Sequence, residues 1–302
     1  MRLRRTAETR SVTAQTPERG AITARPTALE IFTAAAHTGE DELKRSSTGL
    51  AVSGLSAGLG MGLTGLGSSV VLQAFGSEPG PTTQLLAALM YPLGFIVVIL
   101  GRAQLFTENT VFPVILVLDR GKHVFNMLRL WAVVFAANVL GTLLFAAFAV
   151  ETPALPPPIV DALSGLGAHT ALRGVGQIFF SGIAGGWIIA LMAWLVTASR
   201  FTIGQLVLVY LMTFTVSAAG LAHCIAGSAE VLSAVLTGAV APLDYLTWLG
   251  AAATGNTIGG VFIVSLLNYG QVIGSGSDVR NARQRLEDIE RFNPPPRERE
   301  RT

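Results

Sequence analysis

Charge is what this chain has least of. Only 13% of its 302 residues are Asp, Glu, Lys or Arg, while 51% are apolar, and the mean hydropathy is +0.54. That balance excludes an ordinary soluble globular domain. Cys224 is the sole cysteine, which excludes an intrachain disulfide and a cysteine-rich metal site. No H-E-x-x-H pair is present to hold zinc, and the paired N-P-A motifs of water channels are missing. The glycine-rich stretch GLGMGLTG lacks the lysine of a phosphate loop. Residues 1–30 contain no central apolar run, so no cleaved signal peptide is expected. No cofactor and no nucleic-acid partner are expected either.

What remains is length and apolarity. A hydrocarbon core of about 30 Å takes roughly 20 helical residues to cross, and runs of that kind begin near Thr48, Gln84, Phe125, Gly174, Ile203 and Leu243. Basic residues cluster before the first run (Arg2 to Arg45) and after the last (Arg280 to Arg301), and recur at Arg120, Lys122 and Arg129 and at Arg200. The alternate loops, Gly76–Thr83 and Ala241–Asp244, carry none. The positive-inside rule therefore places both termini in the cytoplasm, with an even number of spans in an inner or plasma membrane. The pI near 9.0 follows from that topology.

Residues 1–27 read as a disordered tail and 271–302 as a charged cytoplasmic tail. Between them, residues 28–47 place Leu29, Ile31, Phe32 and Ala36 at helical spacing against charged neighbours, predicting an amphipathic helix on the inner face. Residues 48–270 are expected to form the six-span membrane domain. The small residues of SGLSAGLGMGL recur every three or four positions and allow close helix approach. The segment ETPALPPPIVDALSGLGAHT is expected outside, with an interfacial turn.

Two segments repeat. RLWAVVFAANVLGTLLFAAF holds Asn138 and Gly141, and LTWLGAAATGNTIGGVFIVS holds Asn256 and Gly259, in the same aromatic–small–N-x-x-G frame. A polar interruption precedes each: LFTENT ahead of the first and GLAHC ahead of the second. Two halves of three spans each must run in opposite senses, so the expected architecture is an all-α polytopic membrane protein with two inverted three-helix repeats, aquaporin-like, its second and fifth helices broken. Irregular backbone at membrane depth is tolerated only inside protein or along a cavity. Asn138 and Asn256 are expected to bond the broken backbone across the pseudo-twofold axis.

GRAQLFTENTVFPVIL, the AANVLGTLLF and TGNTIGGVFIV pair, AGLAHCIAGS and the ALEIF…SGLSAGLGMGL entry together resemble the formate/nitrite transporter family, and within it the YfdC-like branch. The resemblance implies a homopentamer in membrane lipid, each protomer with its own pore around a central histidine. It implies a channel and not an enzyme, carrying small monovalent anions of weak acids such as formate, nitrite or hydrosulfide, with proton sharing at the central histidine as one option. It places the first gate at Leu105, Phe106 and Thr107, the histidine at His223, and pore-lining or second-constriction positions at Tyr91, Phe95, Val216 and Ile189. The family carboxylate before the histidine is Ala222 here, a fourth-span pore asparagine falls on Gly186, and the vestibule lysine has no counterpart beyond nearby Arg173. Glu108 is either clamped by Arg102 or turned into the pore, and Glu230, seven residues after His223, is either a satisfied structural carboxylate or a pore group. A facilitator of another small or neutral solute, or a non-conducting sensor or scaffold, is the alternative reading. An intramembrane hydrolase using His223 with Glu108 or Glu230 would need ligands that the sequence lacks.

Overall fold

A computed structural model describes residues 26–75, 80–120 and 123–274. Most of the two expected tails therefore lies outside the described residues. Helix α1 (Ala28–Lys44) opens with a capping box in which Thr27 and Glu30 satisfy each other's backbone N–H groups. Its apolar side (Phe32, Ala35, Ala36, Leu43) is buried against protein rather than turned outward, packing on the short helix α5 (Phe112–Arg120). Phe32 also meets Tyr269 at 6.1 Å.

The first half continues with α2 (Ser47–Phe75), α3 (Pro81–Ala88), α4 (Pro92–Leu100), an irregular passage ending in a single 3-10 turn at Glu108–Thr110, then α5 and α6 (Val124–Glu151). The second half repeats the plan. It comprises α8 (Val175–Ala198), α9 (Thr202–Ala218), a break, α10 (Ala226–Leu236) and α11 (Pro242–Ile258), which runs through a π-helical stretch (Gly259–Leu266) into α12 (Leu267–Gly274). Among the described residues, five apolar stretches are long enough to cross a membrane. The fifth of the six expected spans is the exception, assembled from α9 and α10 on either side of its break. The connection expected to hold only an interfacial turn instead forms a 15-residue helix, α7 (Pro157–Ala171), started by prolines that fit a helix's first turn and packed on α10 and α2.

Each half is built around one tight pair, α2 on α6 and α8 on α11, and glycine makes both possible. A Cβ at Gly58 would overlap the Asn138 carbonyl, and one at Gly186 the Asn256 carbonyl. Gly141 and Gly259 meet the opposite backbones at Leu55 and Ile183. Without a hydrophobic driving force between helices in lipid, such contact supplies the packing that holds them. Gly186, taken from the family pattern as a pore position, is thus the mate of Gly58 in a helix contact.

Substituting Gly58→Val or Gly186→Val should cost about 1–3 kcal/mol of packing, as overfilled sites do. Thermal unfolding of the detergent-solubilised protein should show a lowered midpoint for both. Gly165→Ala, where an added Cβ meets nothing within 4 Å, should leave the midpoint unchanged.

Candidate functional site

The two breaks are held by identical brackets. Asn138 donates through Nδ2 to the carbonyls of Gly54 and Gln104, both at 2.8 Å, and accepts from the Phe106 amide at 2.9 Å. Asn256 donates to Gly182 and Ala222 at 2.8 and 2.9 Å, and accepts from the Cys224 amide at 2.8 Å. Both asparagines are fully buried. Each serves the break of its own half, so the expectation that they reach across the pseudo-twofold axis is corrected: the axis relates the brackets and does not pass through them. The sequence separations, 34 and 32 residues in both halves, set the register. Gln104 matches Ala222, Phe106 matches Cys224, and Leu105 is therefore the mate of His223.

The remaining backbone of the first break is bonded by the polar residues that interrupt its apolar run. Gln104 N–H donates to Ser53 Oγ at 3.1 Å, and the Leu105 carbonyl accepts from the amide and side chain of Asn109 at 3.1 and 3.2 Å. Thr110 Oγ1 donates to the Thr107 carbonyl at 2.7 Å, and Trp131 Nε1 to the Asn109 carbonyl at 2.9 Å. The Thr110 carbonyl accepts from Ser265, which lies in the π-helical stretch of the sixth span. Gln104, Asn109, Ser53 and Trp131 are the support residues that sequence reasoning missed. A carboxamide in a long apolar run is the one signal that marked two of them.

Successive residues of an extended passage point different ways, and the LFT motif divides accordingly. Thr107 Oγ1 lies 2.8 Å from His223 Nε2, joining the two breaks in the buried centre. Phe106 turns the other way, its ring against Phe135 at 4.9 Å and Trp131 at 6.0 Å. It borders a separate groove of about 410 Å³ between α6 and α11. Phe95 presents its ring edge-on to His223 at 5.1 Å and packs on Tyr91 at 5.5 Å. Leu105, Val216 and Ile189 are fully buried and border neither cavity.

His223 starts α10. Its Nδ1 accepts the Ala226 amide at 3.0 Å. A backbone amide only donates, so Nδ1 carries no proton, and the proton of the neutral ring sits on Nε2, facing Thr107. From this point a vestibule of about 680 Å³ opens toward α7, its wall including Tyr91, His223, Glu230, Trp248, His169 and Arg173. Arg173 closes one side by donating to the Gly220 carbonyl at 2.7 Å. Gly220 itself sits at φ +62 in the left-handed region. Glu108 is half-buried on the opposite side of the break, and no ion pair joins it to Arg102. Arg102 occupies a left-handed turn (φ 56) that leaves it exposed, and its charge acts on Glu108 through space rather than through a direct bond.

The family model described as formate/nitrite transporter matches residues 29–270, nearly the whole membrane portion. The chain belongs to the formate/nitrite transporter family. It is 36% identical to the inner membrane protein YfdC of Escherichia coli over 83% of this chain and 82% of that one, which places it in the YfdC-like branch. Among solved structures it is similar to an FNT family ion channel, with a TM-score of 0.70 at 19% identity, covering 79% of this chain and 97% of that one. It is also similar to a pentameric formate channel with formate bound, with a TM-score of 0.65 at 20% identity, covering 75% and 97%. Within the formate/nitrite transporter family frame, Ala222 gives up only its carbonyl to the Asn256 bracket, so the absent carboxylate leaves the break intact.

Two outcomes follow from this geometry. Asn256→Ala leaves two carbonyls and an amide unbonded, at about 1–3 kcal/mol for each buried group, and should lose folded protein far more than Asn109→Ala, whose carbonyl partner keeps a second donor. Nitrogen-15 NMR of ring-labelled protein should find His223 as the Nε2–H tautomer; a proton on Nδ1 would contradict the capping bond.

Proposed function

We propose that the protein is a channel for small monovalent anions of weak acids, with formate the leading member and nitrite and hydrosulfide in the same class, and that it catalyses no reaction. The observation that carries this reading is the Thr107–His223 bridge, a single buried polar station at the inner end of an open vestibule. An anion entering a dry constriction loses its hydration at a cost of many kcal/mol, whereas its neutral acid does not. The vestibule admits the ion, and the positive end of α10, which begins beside His223, favours negative charge at the approach. Passage beyond it runs along Tyr91, Phe95, Leu105, Val216 and Ile189, apolar enough to demand a neutral or neutralised solute. His223 and Thr107 supply hydrogen-bonding capacity where water is excluded.

The relative named as a pentameric formate channel supports a homopentamer here, in which the exposed apolar faces, including Phe180, Ile203 and Leu243, meet lipid or neighbouring protomers. Both termini then lie in the cytoplasm of an inner membrane, and the α7 vestibule opens outward. A facilitator of neutral solutes is the second reading, favoured by the fully buried apolar positions Leu105, Val216 and Ile189 beyond the vestibule.

Flux of formate, nitrite, hydrosulfide and water into proteoliposomes at several pH values separates these readings. The wild type should carry at least one anion, and His223→Ala should abolish that flux or reshape its pH dependence. Well-folded wild-type protein that passes none of the anions would refute the channel reading, and passage of water or neutral acid alone would favour the second.

A further inference from the structure

His223 is committed on both ring nitrogens, one to the Ala226 amide and one to Thr107. Giving or taking a proton there means breaking the bond that starts α10 or the bond that joins the two breaks. A weak acid in the vestibule needs a partner that is free to exchange, and one side chain on the wall meets that description.

Glu230 lies about two turns along α10 from His223. It is 5% exposed. Its Cγ crosses the face of Gly65 on α2, where an added Cβ would stand 2.9 Å away, and its backbone presses on Gly167 of α7. The carboxyl borders the vestibule, and no hydrogen bond or ion pair engages it among the described residues. The residue is buried, but its carboxyl oxygens are not sealed off and reach the vestibule. Gly65 and Gly167 make room for this residue on two neighbouring helices.

The other titratable groups around it are differently placed. Arg173, after α7, is taken by the Gly220 carbonyl, and the hydroxyl of Tyr245 on α11 lies 3.2 Å from Ser228 Oγ. Asp161 and His169 of α7 line the outer wall and are exposed, as is Glu151 at the end of α6. Tyr91, between α3 and α4, lies at the inner end of the cavity, and α2 carries no titratable residue. Trp248 on the same wall holds a buried indole Nε1–H with no partner among the described residues.

We propose that Glu230 is the proton-exchange residue of the vestibule, converting an arriving weak-acid anion to its neutral acid before the solute meets the Tyr91 and Thr107–His223 passage. The O–H bond of the Glu230 carboxyl breaks as the O–H bond of the solute acid forms. The resulting carboxylate then recovers a proton from vestibule water, and on outward passage the same steps run in reverse. The inference rests on the anion-channel reading and moves the proton transfer from the histidine to the carboxyl.

The test is formate uptake into proteoliposomes containing an entrapped pH dye, measured between pH 5 and 8 for the wild type, Glu230→Gln and Glu230→Asp. A positioned acid–base group contributes roughly a hundredfold or more, so Glu230→Gln should slow uptake by at least about tenfold and flatten its pH profile. Glu230→Asp should keep the profile at a reduced rate. Wild-type uptake with an unaltered rate and profile in Glu230→Gln would overturn the inference and leave the channel reading standing. Absence of formate, nitrite and hydrosulfide uptake by the wild type would overturn both. Should Glu230→Gln fail to assemble, infrared difference spectra of the wild type decide: a carboxylic C=O band that bleaches on formate addition supports the exchange, and its absence refutes it.

Discussion

The fold depends on one constraint, that no peptide group may be left unbonded inside a membrane. A continuous helix satisfies it internally; a broken one does not. Two asparagines meet the obligation in this protein, each holding two carbonyls and one amide of its own half. Because each also bonds a carbonyl of the first helix of its half, Gly54 or Gly182, the bracket fixes three helices at once. The glycines beside it bring the helix pairs within reach, so the packing and the polar network are one device.

That device explains how a channel-like interior is kept without loosening the fold. The first break is rich in polar residues because it bonds itself: Gln104, Asn109 and Thr110 serve neighbouring carbonyls or one another, and only Thr107 is left to face the histidine. The second break is poorer in such residues and uses His223 itself as the cap of α10, with Ser228 returning to the Cys224 carbonyl. The pseudo-symmetry is therefore exact in its brackets and broken in its chemistry. Leu105 and His223 occupy matching places, and a single imidazole serves a site built from two copies of the same scaffold.

Much of this was legible in the residues. The repeated N-x-x-G frame announced the inverted halves, because a short motif recurring before an apolar run survives divergence of the run itself. The spans were readable from apolar length, and α1 from its periodicity. Thr107 precedes Asn138 by 31 residues and His223 precedes Asn256 by 33, a near match in spacing; the hydrogen bonds show that Leu105 is the mate of His223. Phe106 and Gly186 were matched to family positions by motif order, which carries no information about which way a side chain turns.

Sequence alone determined the environment, the number of spans and the family, because hydropathy, charge placement and motif order are properties of the chain read in one dimension. Tertiary structure decided what each polar residue does. Direction within an irregular passage, the partners of Asn138 and Asn256, and the placing of Glu230 on the vestibule wall all depend on atoms brought together from distant segments. The α7 helix shows the same division: a proline-rich connection was visible, but only its packing on α10 and α2 made it the wall of a vestibule.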